Sequence, residues 1–152
     1  MKKTLGIIVI AAFMTSCGLP APKEQTIPLL NLSITVPSKN EIKAEAAGQY
    51  NMANADFIID KNRFEIREID EKKMPTDVKM LAEAIKADDD FVALTEEKTL
   101  SNGAFGIVYD NKKGKDLLFY FKKEARCYKV TPAFNKEGKY YNEAIEAIGT
   151  LK

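Results

Sequence analysis

Histidine and tryptophan are absent from this 152-residue sequence, and cysteine occurs only twice. Without histidine, the chain lacks the commonest general base and the commonest metal ligand of proteins. Zinc enzymes, Ser-His-Asp hydrolases and Cys-His proteases are therefore excluded in their usual forms. We accordingly expect a protein that is not an enzyme, and we expect neither a cofactor nor a metal site.

An excess of one charge sign is also lacking, since 23 basic side chains face 22 acidic ones. A near-neutral surface has no electrostatic footprint for a nucleic-acid backbone, so we expect no nucleic-acid partner. Long hydrophobic runs are missing as well. The most apolar stretch, residues 5–13, is about half of the roughly 20 residues that a membrane-spanning helix needs.

The N-terminus has the organisation of a secretory signal. Met1-Lys2-Lys3 precedes the apolar run, and small residues then lead into a cysteine. Met14-Thr15-Ser16-Cys17 resembles the lipobox of bacterial lipoproteins. In that class the cysteine thiol is acylated and becomes the first residue, which implies that residues 1–16 are a signal peptide and that Cys17 carries the lipid. Gly18 favours sorting to the outer membrane, facing the periplasm.

Residues 17–26 contain Pro20 and Pro22 and no apolar periodicity, so they are predicted to be a lipidated tether. Residues 27–152 are long enough for one globular domain that buries about two-thirds of its unfolded surface. The alternation of Leu32, Ile34 and Val36 predicts a strand that stops at Pro37. Residues 38–53 are interpreted as a loop.

The rest of the domain predicts an α+β fold with helices packed on an antiparallel sheet. Residues 55–60 and 63–69 predict a hairpin around Lys61-Asn62, and a helix opens at Thr76. Short connectors predict a four-stranded meander, in which residues 117–121 are apolar on both faces and therefore central. The apolar residues of both helices recur at helical spacing: Val78, Leu81, Ala82 and Ile85 in the first, and Tyr141, Ala144, Ile145 and Ile148 in the last. The meander strands are predicted at residues 91–100, 103–110, 115–122 and 125–131.

The domain resembles the PsbP-like superfamily, whose members include photosystem extrinsic proteins and small bacterial lipoproteins. The resemblance covers roughly Ile27 to Lys152. It rests on the element order, on the strand Leu32-Ser33-Ile34-Thr35-Val36-Pro37 and on the closing Gly149-Thr150-Leu151-Lys152. It implies a mostly accessory, non-catalytic role. A cystatin-like or other helix-on-sheet fold is the alternative.

Three local features are candidates for sites. Asp88-Asp89-Asp90 supplies the oxygen ligands that calcium prefers, but it lacks the alternating spacing of a dedicated calcium loop and is also typical of a solvated turn. Gly103-Ala104-Phe105-Gly106 lacks the spacing of a phosphate-binding loop and is interpreted as turn and strand. Cys127 lies in a predicted strand and is interpreted as a buried, inert thiol rather than a reactive one.

Aromatic side chains are concentrated in the C-terminal half, and most are expected in the core. The remainder would line a pocket or a protein-docking face. The set is Phe105, Tyr109, Phe119, Tyr120, Phe121, Tyr128, Phe134, Tyr140 and Tyr141. Two functions follow: a membrane-anchored envelope lipoprotein whose domain binds a protein partner, or one that binds a small ligand or lipid. A well-filled core favours the first, and a deep apolar cavity favours the second.

Overall fold

The computed structural model describes residues 22–37, 43–45, 53–133 and 137–152, and it has the predicted α+β architecture with antiparallel sheets. The strands are β1 Pro22–Ile27, β2 Leu32–Pro37, β3 Lys43–Glu45, β4 Asn54–Ile59, β5 Asn62–Ile69, β6 Phe91–Thr99, β7 Phe105–Asn111, β8 Gly114–Lys123 and β9 Arg126–Pro132. The helices are α1 Val78–Lys86 and α2 Tyr141–Ile148. Asp77, rather than Thr76, caps α1, since its side chain accepts a hydrogen bond from the Met80 amide.

The main sheet has the strand order β3-β4-β5-β9-β8-β7-β6, and every neighbouring pair is antiparallel. The prediction that residues 117–121 form a strand covered on both sides is confirmed. Leu117 and Phe119 belong to one buried cluster, whereas Leu118 and Tyr120 belong to another. Because successive side chains of a strand point to opposite faces, this central strand has no solvent-facing side.

The two helices cover opposite faces of this sheet. On one face, here called the α2 face, the stripe of α2 packs with the β1–β2 hairpin and the apolar residues of β4, β5, β8 and β9 into a single large core. On the other, the α1 face, Leu81 and Ala82 pack with Phe105, Ile107 and Tyr120 into a smaller cluster. The predicted stripes of both helices are therefore core-facing.

Three sequence predictions need correction. The tether prediction is wrong for residues 22–26, which pair with residues 33–37 of β2, so that backbone hydrogen bonds order a segment without apolar periodicity. The hairpin turn is Asp60-Lys61 rather than Lys61-Asn62, because Ile59 pairs with Asn62 and both turn residues have a positive φ. The loop predicted at 38–53 contains β3; its other residues, apart from Ala53, lie outside the described part of the chain, as does the predicted signal peptide.

The residues that follow α2 tie it to the hairpin. The Ser33 amide donates to the Lys152 carbonyl (2.9 Å) and the Lys152 amide donates to the Ser33 carbonyl (3.2 Å). The Thr35 amide donates to the Thr150 hydroxyl at 2.7 Å. The side-chain amide of Asn102 donates to the Ile148 carbonyl (2.8 Å), which satisfies an acceptor at the end of the helix. This closing segment, here called the C-terminal clasp (residues 149–152), fixes α2 over the sheet.

Candidate binding groove

A cavity of about 240 Å³ opens on the α2 face where the β6–β8 end of the sheet meets the start of α2. We call it the groove. Most of its lining is polar: Thr95, Glu96, Val108, Lys115, Gly138, Tyr140, Tyr141, Asn142 and Glu143. Its walls therefore come from three strands, from the segment that leads into α2 and from the first turn of α2 itself.

The strand wall is built by irregularities in β6, the outermost strand on this side of the sheet. The pairing of β6 with β7 shifts register between Phe91 and Ala93 and again between Leu94 and Glu96. The second shift leaves Thr95 as an extra residue, so Leu94 joins the α1 cluster while Glu96 lies opposite Val108 of the α2 core. Such bulges commonly redirect side chains beside functional sites. Here the bulge brings Thr95 and Glu96 into the groove.

The opposite wall is held in a constrained backbone conformation. Tyr140 has φ +60, a left-handed conformation that bulky residues rarely adopt. Its hydroxyl donates to a carboxylate oxygen of Asp60 at 2.5 Å, and Asp60 is itself in the left-handed region. Backbone strain of this kind persists only where surrounding contacts enforce it, and it concentrates at functional sites. The contact with the β4–β5 turn supplies that enforcement.

Gly138 allows this wall to lie close to β8. A Cβ atom at position 138 would stand 2.6 Å from Cδ of Lys115, and its φ of +66 also favours glycine. The aliphatic part of Lys115 therefore packs directly beneath the chain, with its side chain lining the groove. The Lys115 carbonyl accepts a hydrogen bond from the Tyr141 hydroxyl at 3.0 Å. These contacts hold the wall and the strand together.

Tyr141 forms part of the groove's inner lining and is only 5% exposed. Burial, and then the nearby negative charge of Asp116, raise the pKa of its hydroxyl well above the ordinary value. The hydroxyl thus keeps its proton near neutral pH and acts as a hydrogen-bond donor rather than as a base. Its ring meets Phe64 edge to face with centroids 6.1 Å apart, which anchors it to the core.

The charges of the groove suit binding. Glu96 is paired with Lys98 at 2.9 Å. Lys115 and Glu143 line the same groove, and the described part of the chain offers neither of them an oppositely charged group within 4.0 Å. A cation, a carboxylate, a hydroxyl and an amide thus surround a small space, which presents hydrogen-bond donors and acceptors and charges of both signs.

The aspartate run forms the turn that the solvated interpretation predicts. Asp88 accepts a hydrogen bond from the Asp90 amide at 2.8 Å, and Asp90 lies 3.2 Å from the ammonium group of Lys113. In the ranges 22–37, 43–45, 53–133 and 137–152, no group of three or more histidine, cysteine or acidic side chains is arranged to hold a metal ion. The structure does not bring the three carboxylates together.

The glycine segment is also structural. Gly103 lies in the turn after β6 with φ +85, and Gly106 lies within β7 opposite Phe119. A Cβ atom at position 106 would stand 2.3 Å from the Phe119 ring, so glycine is required there for close packing. The interpretation as turn and strand is therefore confirmed.

The two cysteines differ in what the structure says of them. Cys17, the predicted lipidation site, lies outside the described residues. Cys127 is 1% exposed, as predicted, and burial raises the pKa of its thiol. A thiol held in its neutral form is a poor nucleophile. Its inertness stays a prediction.

Most of the aromatic side chains are in the core, as expected, and two of them, Tyr140 and Tyr141, line the groove. Phe134 lies outside the described residues. Sequence reasoning identified these tyrosines only as members of an aromatic set, and it missed Thr95, Lys115 and Glu143 altogether. The local signals were Gly138 and the odd spacing of apolar residues in β6, neither of which is specific without the pairing of distant segments.

Comparisons of the sequence with protein-family models and with curated proteins, and of the fold with solved structures, give no match. Within the part of the chain that the structure describes, neither helix has the length and apolar character needed to cross a membrane.

Proposed function

We propose that this protein is an exported lipoprotein, anchored to the cell envelope through Cys17, whose domain is non-catalytic and binds a protein partner at the groove. The outer membrane, facing the periplasm, is the proposed location. The lipobox at residues 14–17 supports the anchor, and the element order supports kinship with accessory proteins of the PsbP-like superfamily.

We choose a protein partner over a lipid or small apolar ligand because the domain's own side chains fill the α2 face. Phe57, Phe64 and Phe119 are completely buried between the sheet and its cover, and Phe57 and Phe64 stack with centroids 5.2 Å apart. Side chains thus occupy the space in which a lipid or an apolar ligand would lie. The groove is open and polar, and its volume is below the roughly 300–1,000 Å³ of typical small-molecule pockets. A protein surface that inserts one or two side chains suits it better.

The exposed edge of β6 adds to this argument. β6 runs beside the groove, and among the described residues it pairs with a strand, β7, on one side only. Unpaired backbone groups at a sheet edge accept an added strand, while adjacent pockets take alternate side chains of the added segment. The two bulges and the charges of Glu96, Glu97 and Lys98 oppose unselective pairing. A partner segment that pairs with the edge of β6 and also fits the groove would bind despite this opposition to unselective pairing.

Site-specific photo-crosslinking in the native membrane tests the groove. A photoreactive residue at position 143, in the first turn of α2, should yield one discrete adduct with a protein. The matched control is position 146, which is exposed on the same helix but does not line the groove. Equal adducts from both positions, or a small-molecule adduct from position 143, would overturn a protein partner at the groove.

Metabolic labelling with a fatty acid tests the anchor separately. The native protein should incorporate label, and Cys17→Ser should not, because the acyl transfer requires the thiol. Cys127→Ser is the matched control and should be labelled like the native chain. Equal labelling of the native protein and Cys17→Ser would contradict the lipoprotein assignment.

A further inference from the structure

Among the described residues, a helix covers only part of the α1 face. α1 lies against β6 and β7, and its Leu81 and Ala82 share one buried cluster with Phe105, Ile107, Leu118 and Tyr120. On β5 and β9 the apolar pair Ile69 and Cys127 projects to this face next to the α1 cluster, and the other residues that project to it are polar. These polar residues are Arg63, Glu65 and Arg67 on β5, and Lys129 and Thr131 on β9. Their neighbours in sequence, such as Ile66 and Val130, are completely buried on the α2 face.

Two of these polar residues carry the same charge at directly opposed positions. Arg67 of β5 pairs with Lys129 of β9 in the antiparallel ladder, so both side chains project from the same face. Like charges placed directly opposite each other destabilise a sheet. Folding alone would favour an acidic or neutral residue at one of the two positions.

The carboxylates nearby do not compensate both cations. Glu65 accepts hydrogen bonds from Arg67 at 2.7 and 3.1 Å, and Asp56 pairs with Arg63 at 2.5 Å. Lys129 has no carboxylate within 4.0 Å in the described ranges, and no other interaction is attributed to it. The Arg67 side chain is 54% exposed, and Lys129 is partly exposed. One surplus positive charge therefore stands on a solvent-accessible part of the sheet.

We propose that this surface, formed by Arg67, Lys129 and Thr131 and called here the Lys129 face, docks an extended acidic segment of a protein partner. A carboxylate seated between the guanidinium and the ammonium groups would neutralise the like-charged pair, and Thr131 offers a hydroxyl beside it. The inference rests on the proposed protein-binding function. It adds a second contact surface, because the Lys129 face and the groove lie on opposite faces of the sheet.

The charge pattern distinguishes a protein segment from an anionic membrane surface. Glu65 lies among the cations of this face with its side chain 20% exposed, and its carboxylate would repel a continuous layer of lipid phosphates. An extended peptide places acidic side chains at chosen positions and avoids this carboxylate. The pattern of mixed charges thus favours a protein segment over a lipid layer.

The first measurement is an NMR titration of the complete mature chain with Cys17→Ser, using a synthetic peptide of alternating threonine and glutamate. Amide shifts should centre on β5 and β9. Lys129→Glu should weaken binding by about tenfold or more, because it removes the cation and adds a repulsive carboxylate. Lys23→Glu, an exposed lysine of β1 with no ion pair in the described ranges, is the matched control and should bind like the parent protein.

Three results of this titration would overturn the proposal. They are shifts spread over exposed lysines throughout the surface, equal weakening by Lys23→Glu, or equal binding of the same peptide with glutamine in place of glutamate. Vesicles of phosphatidylglycerol and phosphatidylcholine in equal parts provide a further arm. Binding that the vesicles compete for, or that occurs with vesicles alone, would assign the surface to a membrane instead.

Stability provides an independent readout that does not depend on any ligand. Lys129→Glu should raise the denaturant midpoint of the free domain, because a carboxylate opposite Arg67 replaces repulsion with attraction. The gain should shrink at high salt, since screening weakens interactions between exposed charges. A lower midpoint would show that Lys129 is a structural residue and would overturn the proposal. The crosslinking experiment tests the proposed function at the groove, which is a different surface. A negative result at one surface therefore does not contradict the proposal for the other.

Discussion

The two faces of the sheet are covered to different extents. The α2 face is sealed by α2, by the β1–β2 hairpin and by the C-terminal clasp, and its apolar residues form one continuous core. The α1 face has a nine-residue helix over part of its surface, and the side chain of Arg67, which projects from another part of this face, is 54% exposed. Both faces belong to the same strands. The difference therefore comes from which residues alternate along each strand and from what covers them.

This contrast assigns stability and recognition to different parts of the molecule. The sealed face supplies most of the buried apolar area, which is the main favourable contribution to folding. The two proposed interaction surfaces lie where the described residues leave the sheet less covered, at the groove beside the start of α2 and on the polar part of the α1 face. Substitutions on the two faces should therefore differ in how much they lower stability, and in whether they affect folding or binding.

The largest effect should follow from the double substitution Ile145→Ala, Ile148→Ala on α2. Both side chains are buried on the sealed face, and each truncation costs about 2–5 kcal/mol. Since total stability is about 5–15 kcal/mol, we expect the variant to be largely unfolded in circular dichroism at room temperature. Glu146→Ala, exposed between the two positions, should leave the denaturant midpoint nearly unchanged. An unchanged midpoint in the double variant would mean that α2 does not hold the fold.

The corresponding change on the α1 face, Leu81→Ala, should cost less. Leu81 is 3% exposed, but its cluster is smaller and borders solvent, so we expect about 2–3 kcal/mol in denaturant unfolding. The variant should retain the spectrum of the folded protein. If this single change unfolded the domain as fully as the α2 double variant, the two faces would be equally important and the comparison would be wrong.

Gly106→Ala inserts one methyl group into the sealed face. The new Cβ would overlap the Phe119 ring, and overpacking of this kind costs about 1–3 kcal/mol. When Phe119→Ala is added, the combined loss of stability should be smaller than the sum of the two single losses, because Phe119→Ala removes the ring atoms, Cγ included, that the new Cβ would overlap. The carbonyl oxygen of Leu118 would stand 2.4 Å from the same Cβ, so relief should be partial. Strict additivity of the two changes would show that the glycine is not required by its cross-strand neighbour.

The smallest effect concerns Cys127, which lies on the α1 face of β9. In the mature chain with Cys17→Ser, where it is the single thiol, a thiol reagent should react slowly until denaturant is added. Burial both restricts access and raises the pKa of the thiol. Rapid modification of the folded protein would indicate that this half of the face opens readily.

The strands and helices were predictable wherever burial imposes a period on the sequence. The alternation in β2 and the helical stripes of α1 and α2 are direct consequences of one buried face, and the double-sided run 117–121 indicated a central strand. β1 was missed because five of its six residues are exposed or partly exposed, so that its order comes from pairing with β2. Periodicity cannot report an element that is stabilised mainly through its backbone.

The groove and the Lys129 face were beyond sequence reasoning for a different reason. Lys115 meets Gly138, Tyr140 meets Asp60 and Arg67 meets Lys129 only after distant segments have paired. None of these residues belongs to a local motif. Their roles depend on strand register, and the turn at Asp60-Lys61 shows that the sequence predicted one register only to within a residue.

The C-terminal clasp has a consequence for the timing of folding. Thr150 and Thr35, which share a hydrogen bond, are separated by 115 positions, so the second strand cannot complete its bonding until residue 150 has been synthesised. Contacts of such long sequence separation slow folding, because a large loop must close before they form. In a chain that emerges gradually from a ribosome or a translocation channel, the hydrogen bonds between β2 and the C-terminal clasp therefore form late. We expect such a nascent chain to depend on chaperones for longer than a fold closed by local contacts would.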